Sequence, residues 1–231
     1  MELLDATREA LYLLLKGDAA LWSAIYISVK VCLLALLLAS PPAVLLGFVL
    51  ASYNFPGRRV LIVAVQTLLA FPTVVVGLLL YMLLSRQGPL GDMQLLFTQE
   101  AMVLGEAVLA FPILAALTLA AVQSVDRRAA ETALMLGANR LQTAWTVLFE
   151  VRFGITAAMV SGFGRVISEI GCAMMVGGNI AGVTRNITTA IALETSKGEF
   201  VQGIALGIVL IAIALIVNLG LALLQGRGGL R

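Results

Sequence analysis

Long apolar segments alternate with short polar connections along most of this chain. A helix that crosses a bilayer needs about 20 consecutive apolar residues, and five segments reach that length. We therefore predict an all-α integral membrane protein with five transmembrane helices. The approximate bounds of the predicted helices are residues 22–52, 60–84, 101–123, 155–176 and 201–224.

Proline positions predict where these helices bend. Pro41 and Pro42 lie in the first segment, Pro72 in the second and Pro112 in the third. Each proline removes a backbone donor, so the first helix is expected to tilt or to bend at Pro41 and Pro42, and kinks are expected at Pro72 and Pro112. The last two segments contain no proline.

The polar interval at residues 124–150 is the longest one between two apolar segments, and its charges lie at helical spacing. Asp126 is a suitable N-cap for a helix beginning at Arg127, and Gly137 can end that helix. Residues 140–148 then predict a second helix, which completes a hairpin. Its small-residue face suits either a soluble partner or the lipid headgroups, and both interpretations stay open.

Composition supports the membrane assignment and excludes several functions. Hydrophobic residues make up 61% of the chain and charged residues 12%, with a mean hydropathy of +1.03. A net charge of +2 is too small to indicate a nucleic-acid partner. The absence of histidine excludes histidine-based metal sites and a Ser-His-Asp triad. We expect no catalytic residues, no cofactor and no metal, and we expect Cys32 and Cys172 to be buried free thiols.

The distribution of lysine and arginine predicts the orientation of the chain in the membrane. With the hairpin in the cytoplasm, eight of these residues near span ends are inside and five are outside. The N-terminus is then external and the C-terminus cytoplasmic. Residues 1–20 are predicted to be an amphipathic segment on the outer surface, and residues 21–231 a single domain. A basic leader is lacking, so we expect no cleavable signal peptide.

Arg165 and Glu169 are charged residues within the fourth predicted span. Their spacing of four places both on one helix face, where they can pair. Such a pair either fixes helix packing or forms part of a gate or pore. Ser168 beside Glu169 is only a weak nucleophile–base candidate for an intramembrane enzyme. An ion-driven carrier would show inverted repeats, which the sequence lacks.

The hairpin carries a family resemblance. Glu131-Thr132-Ala133 followed by Gly137 resembles the EAA motif of ABC-importer permeases. In that family the motif forms the coupling helix that docks into a cytoplasmic ATPase. Glu150 stands where the family has proline. The resemblance assigns ATPase coupling to one set of residues: Glu131, Thr132, Ala133, Leu134, Gly137 and Ala138.

Further segments resemble one group within this family. Residues 54–58, 71–77 and 168–180 are similar to the molybdate, sulfate and tungstate group of these permeases, and residues 184–198 to its tungstate branch. The resemblance implies the type I (MetI-like) permease fold and import of a tetrahedral oxyanion, most closely tungstate, with molybdate or sulfate as alternatives. It also implies a homodimer, two copies of a separate ATPase subunit and an external oxyanion-binding protein. The sequence has no G-x-x-x-x-G-K-[ST] loop of its own.

The same resemblance places the pore and the outer loop in residues 164–198. Backbone N–H groups, hydroxyls and an arginine suit a tetrahedral oxyanion. The alternative is that glycines serve helix packing and polar residues a wetted loop. The predicted pore or gate residues are Arg165, Ser168, Glu169, Gly177, Gly178, Asn179, Arg185, Thr188 and Thr189.

Overall fold

The computed structural model describes residues 7, 8, 12, 19–125 and 128–225, and all regular elements within them are helical. The predicted amphipathic N-terminal segment lies mostly outside these residues, as does the predicted cap Asp126. In chain order the helices are α1 (Ala19–Ser52), α2 (Arg58–Leu69), α3 (Thr73–Leu84), α4 (Gln99–Gln123), α5 (Arg128–Met135), α6 (Arg140–Glu150), α7 (Arg152–Ile167), α8 (Gly171–Gly177), α9 (Ile187–Ser196) and α10 (Phe200–Gln225).

Helices α1 and α4 pack against each other at the centre of the fold. Gly47 allows this close approach, because a Cβ there would lie 2.7 Å from the Ala115 carbonyl oxygen and 2.8 Å from Thr118 Cβ. α1 continues as one helix through Pro41 and Pro42. The main buried cluster lies where α1, α4 and α7 meet, and it includes Leu36, Leu114 and Phe163.

The second predicted span is two helices at a sharp angle. α2 and α3 are bent by 99° relative to each other, with the break at residues 70–72. Ala70 ends α2, and Pro72 precedes the first residue of α3 in an extended conformation. Proline lacks the N–H that would continue the helix, so the kink predicted at Pro72 is present as a break between two helices.

The fourth predicted span is also interrupted. α7 ends at Ile167 and α8 begins at Gly171, so residues 155–176 form two helices and not one. The two helices nevertheless follow α4 in the opposite direction along its length. A Cβ on Gly162 would meet Leu114, and a Cβ on Gly177 would meet Met102. We call residues 168–170 the helix break.

Helices α5 and α6 form the predicted hairpin, and local signals explain its turn. Gly137 has φ +86° in the left-handed region. The Gly137 N–H donates to the Leu134 carbonyl and the Ala138 N–H to the Ala133 carbonyl, which is a Schellman ending. Asn139 and Gln142 form a capping box that starts α6. The helix extends to Glu150, two residues beyond the prediction.

A loop at the opposite end of the bundle joins α8 to α9. It comprises residues 178–186, and we call this end of the molecule the loop end and the other the hairpin end. α9 and α10 pack against each other through Gly203, whose Cβ position lies 3.1 Å from Thr195 Oγ1. The apolar segment predicted at 201–224 is one helix.

The described helices include several that are long and apolar enough to cross a membrane. Within the described residues, α1, α4 and α10 are each long and apolar enough to cross a membrane. Two bent pairs pass the same test, α2 with α3 and α6 with α7, the latter at 61°. The helices therefore provide three spans, or up to five if each bent pair is one span.

The contact at Gly47 makes a direct prediction for stability. Gly47→Ala places a methyl group against backbone atoms of α4 that cannot move aside, and overpacking of this kind costs about 1–3 kcal/mol. We expect a lower melting temperature for the purified protein in detergent. Gly207→Ala is the matched control, because nothing lies within 4 Å of its Cβ position. Equal melting temperatures for both variants would contradict the packing described here.

Candidate functional site

One face of α7 exposes small and polar side chains to the surroundings. Ala157, Ser161, Arg165 and Ser168 recur at helical spacing and are all exposed. Gly164 adjoins them, with nothing within 4 Å of its Cβ position. We call these five residues the polar stripe. The opposite face of α7 is buried against α1 and α4.

The polar stripe lies within the fourth predicted span. Arg165 is about 20 Å along the helix axis from Arg152, at 1.5 Å per residue, and α8 continues beyond it to the loop end. The outward faces of α1 and α10 expose large apolar side chains, such as Leu37 and Leu215. The polar stripe differs from these apolar faces because it carries the charge of Arg165, and a charge that faces lipid is costly. It suits a protein interface or a water-filled path.

Arg165 and Glu169 form the predicted ion pair. Arg165 Nη1 donates to Glu169 Oε2 at 2.9 Å, which confirms the pairing. Glu169 lies in the helix break and not on the same helix as Arg165. Its other oxygen, Oε1, accepts from the Cys172 N–H at 3.2 Å in the first turn of α8. Glu169 therefore connects the end of α7 to the beginning of α8.

Residues from other helices form hydrogen bonds at and beside the helix break. The Thr188 hydroxyl, on α9, lies 2.7 Å from the Glu169 carbonyl oxygen and 2.9 Å from Asn186 Oδ1. Asn186 and Thr189 form a capping box at the start of α9. The Ile187 N–H donates to the Ser28 hydroxyl of α1 at 2.9 Å. In this conformation Thr188 and Thr189 are buried, with their hydroxyls bonded inside the protein.

Two residues of this network were not among the predicted site residues. Ser28 is a polar residue in an apolar span, and Asn186 precedes a helix three residues before a threonine. The capping pattern of Asn186 and Thr189 is a local signal that identifies the start of α9. The contact between Ser28 and Ile187 has no local signal, because it joins distant parts of the chain.

The loop at residues 178–186 is held by side-chain hydrogen bonds. Arg185 Nε donates to Asn179 Oδ1 at 3.1 Å, and the Thr184 hydroxyl donates to the Gly177 carbonyl oxygen. Gly178 and Asn179 both have positive φ, at +69° and +52°. Gly177 is buried against Met102 of α4. The predicted residues of this loop therefore come together at the loop end.

Two hydrogen bonds of Gln99 connect the loop to the helical bundle. Gln99, at the start of α4, donates through Nε2 to the Val183 carbonyl at 2.7 Å. Its Oε1 accepts from Lys30 Nζ of α1 at 2.8 Å. Lys30 thus has a protein partner at the loop end. Gln99 therefore connects the loop to both α1 and α4.

Glu106 is a buried carboxyl in α4, close to the helix break. It is 3% exposed, and its Oε2 has no hydrogen-bond partner among the described residues. A buried polar atom without a partner costs free energy, because its lost hydration is not replaced.

The hairpin exposes large apolar side chains around its turn. Met135 is 89% exposed, Leu136 83% and Trp145 67%, and Leu141 is similarly open. We call these four residues the apolar tip. The residues that resemble the EAA motif lie alongside: Glu131, Thr132, Leu134 and Gly137 are exposed, and Ala133 and Ala138 are half-buried.

A cavity separates the hairpin from the ends of α1 and α4. It has a volume of about 620 Å3 and is lined by Glu131 and Leu134 of α5, together with Arg58 and Val122. The base of the hairpin packs on the bundle through Val147 and Val151. The hairpin is therefore anchored at its base and free at its apolar tip.

The described residues contain no group of three or more Cys, Asp or Glu side chains that could hold a metal ion. Cys32 and Cys172 are free and buried, as predicted. The described residues thus combine an exposed polar face on α7, a hydrogen-bonded helix break and an exposed apolar tip on the hairpin.

Comparison with known proteins identifies relatives over most of the chain. The family model "Binding-protein-dependent transport system inner membrane component" matches residues 43–227. The tungstate uptake system permease protein TupB of Campylobacter jejuni is 41% identical over 214 residues, covering 93% of this chain and 90% of the relative. A probable anion ABC transporter permease protein of Haloferax volcanii is 41% identical over 84% of both chains.

Two further matches have lower sequence identity. The molybdenum transport system permease protein ModB of Escherichia coli K12 is 32% identical, covering 84% of this chain and 89% of the relative. A chain of a bacterial alginate ABC transporter, solved in complex with its pentasaccharide-bound periplasmic protein, matches with a TM-score of 0.76 and 20% identity. It covers 95% of this chain and 83% of that one. At this identity the match supports the fold alone.

Proposed function

Because this chain belongs to the family of binding-protein-dependent transport system inner membrane components, we propose that it is the permease subunit of an ATP-driven importer for tungstate. The observation that supports tungstate as the substrate is the 41% identity to a tungstate uptake permease over 93% of the chain. Molybdate is the alternative, favoured by the more distant 32% identity to a molybdenum permease. ATP hydrolysis belongs to a separate subunit.

The proposed orientation places the hairpin in the cytoplasm and the loop end outside. The excess of arginine and lysine at the hairpin end supports this placement. The N-terminus is then external and the C-terminus cytoplasmic. The external binding protein would meet the loop at residues 178–186, where Arg185 and Asn179 are partly exposed.

We place the transport path between two copies of the chain. The polar stripe of α7 is open on the single chain and lies at membrane depth, where lipid would be a poor neighbour for Arg165. A second copy facing the stripe would enclose a polar path between them. Gly178, Asn179 and Arg185 lie where this path would open outward.

The hairpin would couple this path to ATP. Two ATPase subunits would each bind one hairpin through the apolar tip and the neighbouring Glu131, Thr132, Ala133, Leu134, Gly137 and Ala138. Different contacts in the ATP-bound and ATP-free states would shift the permease between outward-facing and inward-facing forms. The anchored base of α6, which meets α7 at 61°, would pass this movement to the polar stripe.

Uptake by reconstituted vesicles tests the proposal. The permease, its ATPase and its binding protein are placed in proteoliposomes with ATP, and accumulated tungsten, molybdenum and sulfate are measured. We expect accumulation of tungstate that requires ATP and the binding protein. Faster uptake of molybdate than of tungstate would transfer the assignment to the alternative. Accumulation of none of the three anions would contradict the proposed function.

A further inference from the structure

We infer that Arg165 is the contact for the transported oxyanion inside the membrane, and that Glu169 is a resident counter-ion that the anion displaces. The inference rests on the proposed function, because it assigns the cargo of that function to one side chain. It goes beyond the family assignment by separating the two members of an ion pair into two roles.

Exposure distinguishes the two partners. The Arg165 side chain is 45% exposed on the polar stripe, whereas the Glu169 side chain is 4% exposed behind it. A solute in the proposed path would therefore meet the guanidinium before the carboxylate. An ion pair that only fixes helix packing has no need to leave its cation open on a polar face.

The guanidinium retains free donors. Among the described residues, the Arg165 side chain donates to a carboxylate only through Nη1, which lies 2.9 Å from Glu169 Oε2. An arginine has five N–H donors in a planar fork that matches the edge of an oxyanion. Tungstate, with a charge of −2, can therefore bind the open donors first and then displace Glu169 from Nη1.

The residues around Arg165 leave room for such an anion. Gly164, beside Arg165, has open space at its Cβ position. Ser161, one helical turn away, and Ser168 are exposed and small. The Ser168 hydroxyl donates to the backbone carbonyls of Gly164 and Arg165, whereas the exposed Ser161 hydroxyl can donate to an oxyanion. The site is open on one side, as a path between two copies requires.

Glu169 has a second acceptor contact that persists without Arg165. Its Oε1 accepts from the Cys172 N–H, and its carbonyl oxygen accepts from the Thr188 hydroxyl. The carboxylate therefore remains bonded when the anion takes over the arginine. Because like charges repel, Glu169 then also limits how tightly Arg165 holds the anion, which favours release.

The test uses proteoliposomes that contain the permease, its ATPase and its binding protein. Arg165→Gln should lower tungstate uptake about ten- to hundredfold, the factor expected for loss of a charge-assisted contact. ATP hydrolysis stimulated by the binding protein should stay within about twofold of wild type, since the docking surfaces are unchanged. Arg165→Lys should retain part of the uptake because it keeps the charge. Arg59→Gln, which removes an exposed arginine at the hairpin end, is the matched control.

The double variant R165Q/E169Q separates an anion contact from a structural pair. It leaves no unpaired charge at the helix break, and glutamine can still accept from the Cys172 N–H. We expect a well-inserted protein whose uptake stays low. Uptake restored to the wild-type rate would overturn the inference, because the pair would then serve packing alone. ATP hydrolysis that falls in step with uptake in both variants would also overturn it.

The wild-type vesicles distinguish this inference from the proposed function. If the wild-type complex carries no tungstate, the proposed function fails. If it carries tungstate and Arg165→Gln carries it equally well, the function stands and only the assignment of Arg165 fails.

Discussion

Replacing Gly137 with arginine should reduce tungstate uptake at least about a hundredfold, the loss expected when a central residue of an interface is blocked. Gly137 has φ +86° in the Schellman ending of α5, a conformation that a residue with a Cβ adopts at a cost. It is also exposed, between Leu136 and Ala138. Arginine would distort the turn and place a long charged chain where the ATPase is proposed to bind. Uptake into proteoliposomes is the measurement.

The protein should still insert normally, because nothing lies within 4 Å of the Gly137 Cβ position. Its amount in the membrane fraction and its elution in detergent therefore serve as checks. Gly137→Asn is the matched variant, since asparagine tolerates the left-handed conformation. We expect it to retain most of the uptake. Coupled transport at the wild-type rate in Gly137→Arg would count against the role of the hairpin.

The second large effect is expected at the apolar tip. Leu136→Asp places a charge on a side chain that is 83% exposed. If the tip is buried by the ATPase, the desolvated charge should weaken binding of that subunit about a hundredfold or more. Binding is measured with purified permease in detergent and the separately purified ATPase subunit.

Gln142→Glu is the control for added charge on the same hairpin. Gln142 accepts from the Asn139 N–H in the capping box, and glutamate can fill that place equally well. We expect unchanged binding of the ATPase. If the tip instead lies on lipid headgroups, Leu136→Asp would leave ATPase binding intact and would alter only contact with the bilayer. That result would support the alternative interpretation, in which the hairpin lies on the lipid headgroups.

The hairpin was predictable because its signals are local. Gly137 marks the end of α5, and Asn139 with Gln142 marks the start of α6. The apolar spans were predictable for the same reason, since length and hydropathy are read directly from the sequence. Pro72 likewise indicated the position of the break between α2 and α3, although its angle of 99° depends on packing.

The helix break at residues 168–170 could not be predicted in this way. It contains neither proline nor glycine, and the nearest glycine is Gly171. Contacts from distant residues stabilise it, above all the Thr188 hydroxyl on the Glu169 carbonyl. Helical spacing placed Arg165 and Glu169 together correctly, because the chain still turns through nearly one helical turn between them. The different exposures of Arg165 and Glu169 have no local signal, because contacts from α8 and α9 surround Glu169.

The central claim is that the hairpin is the cytoplasmic surface by which a separate ATPase moves this permease. Leu136→Cys provides the most direct measurement, with a membrane-impermeant thiol reagent applied to sealed vesicles of each orientation. Wild-type protein is the background control, because Cys32 and Cys172 are both buried. The account predicts labelling of Leu136→Cys only in inside-out vesicles, and loss of that labelling when the ATPase subunit is added. Labelling from the outer face, or labelling that the ATPase leaves unchanged, would contradict it.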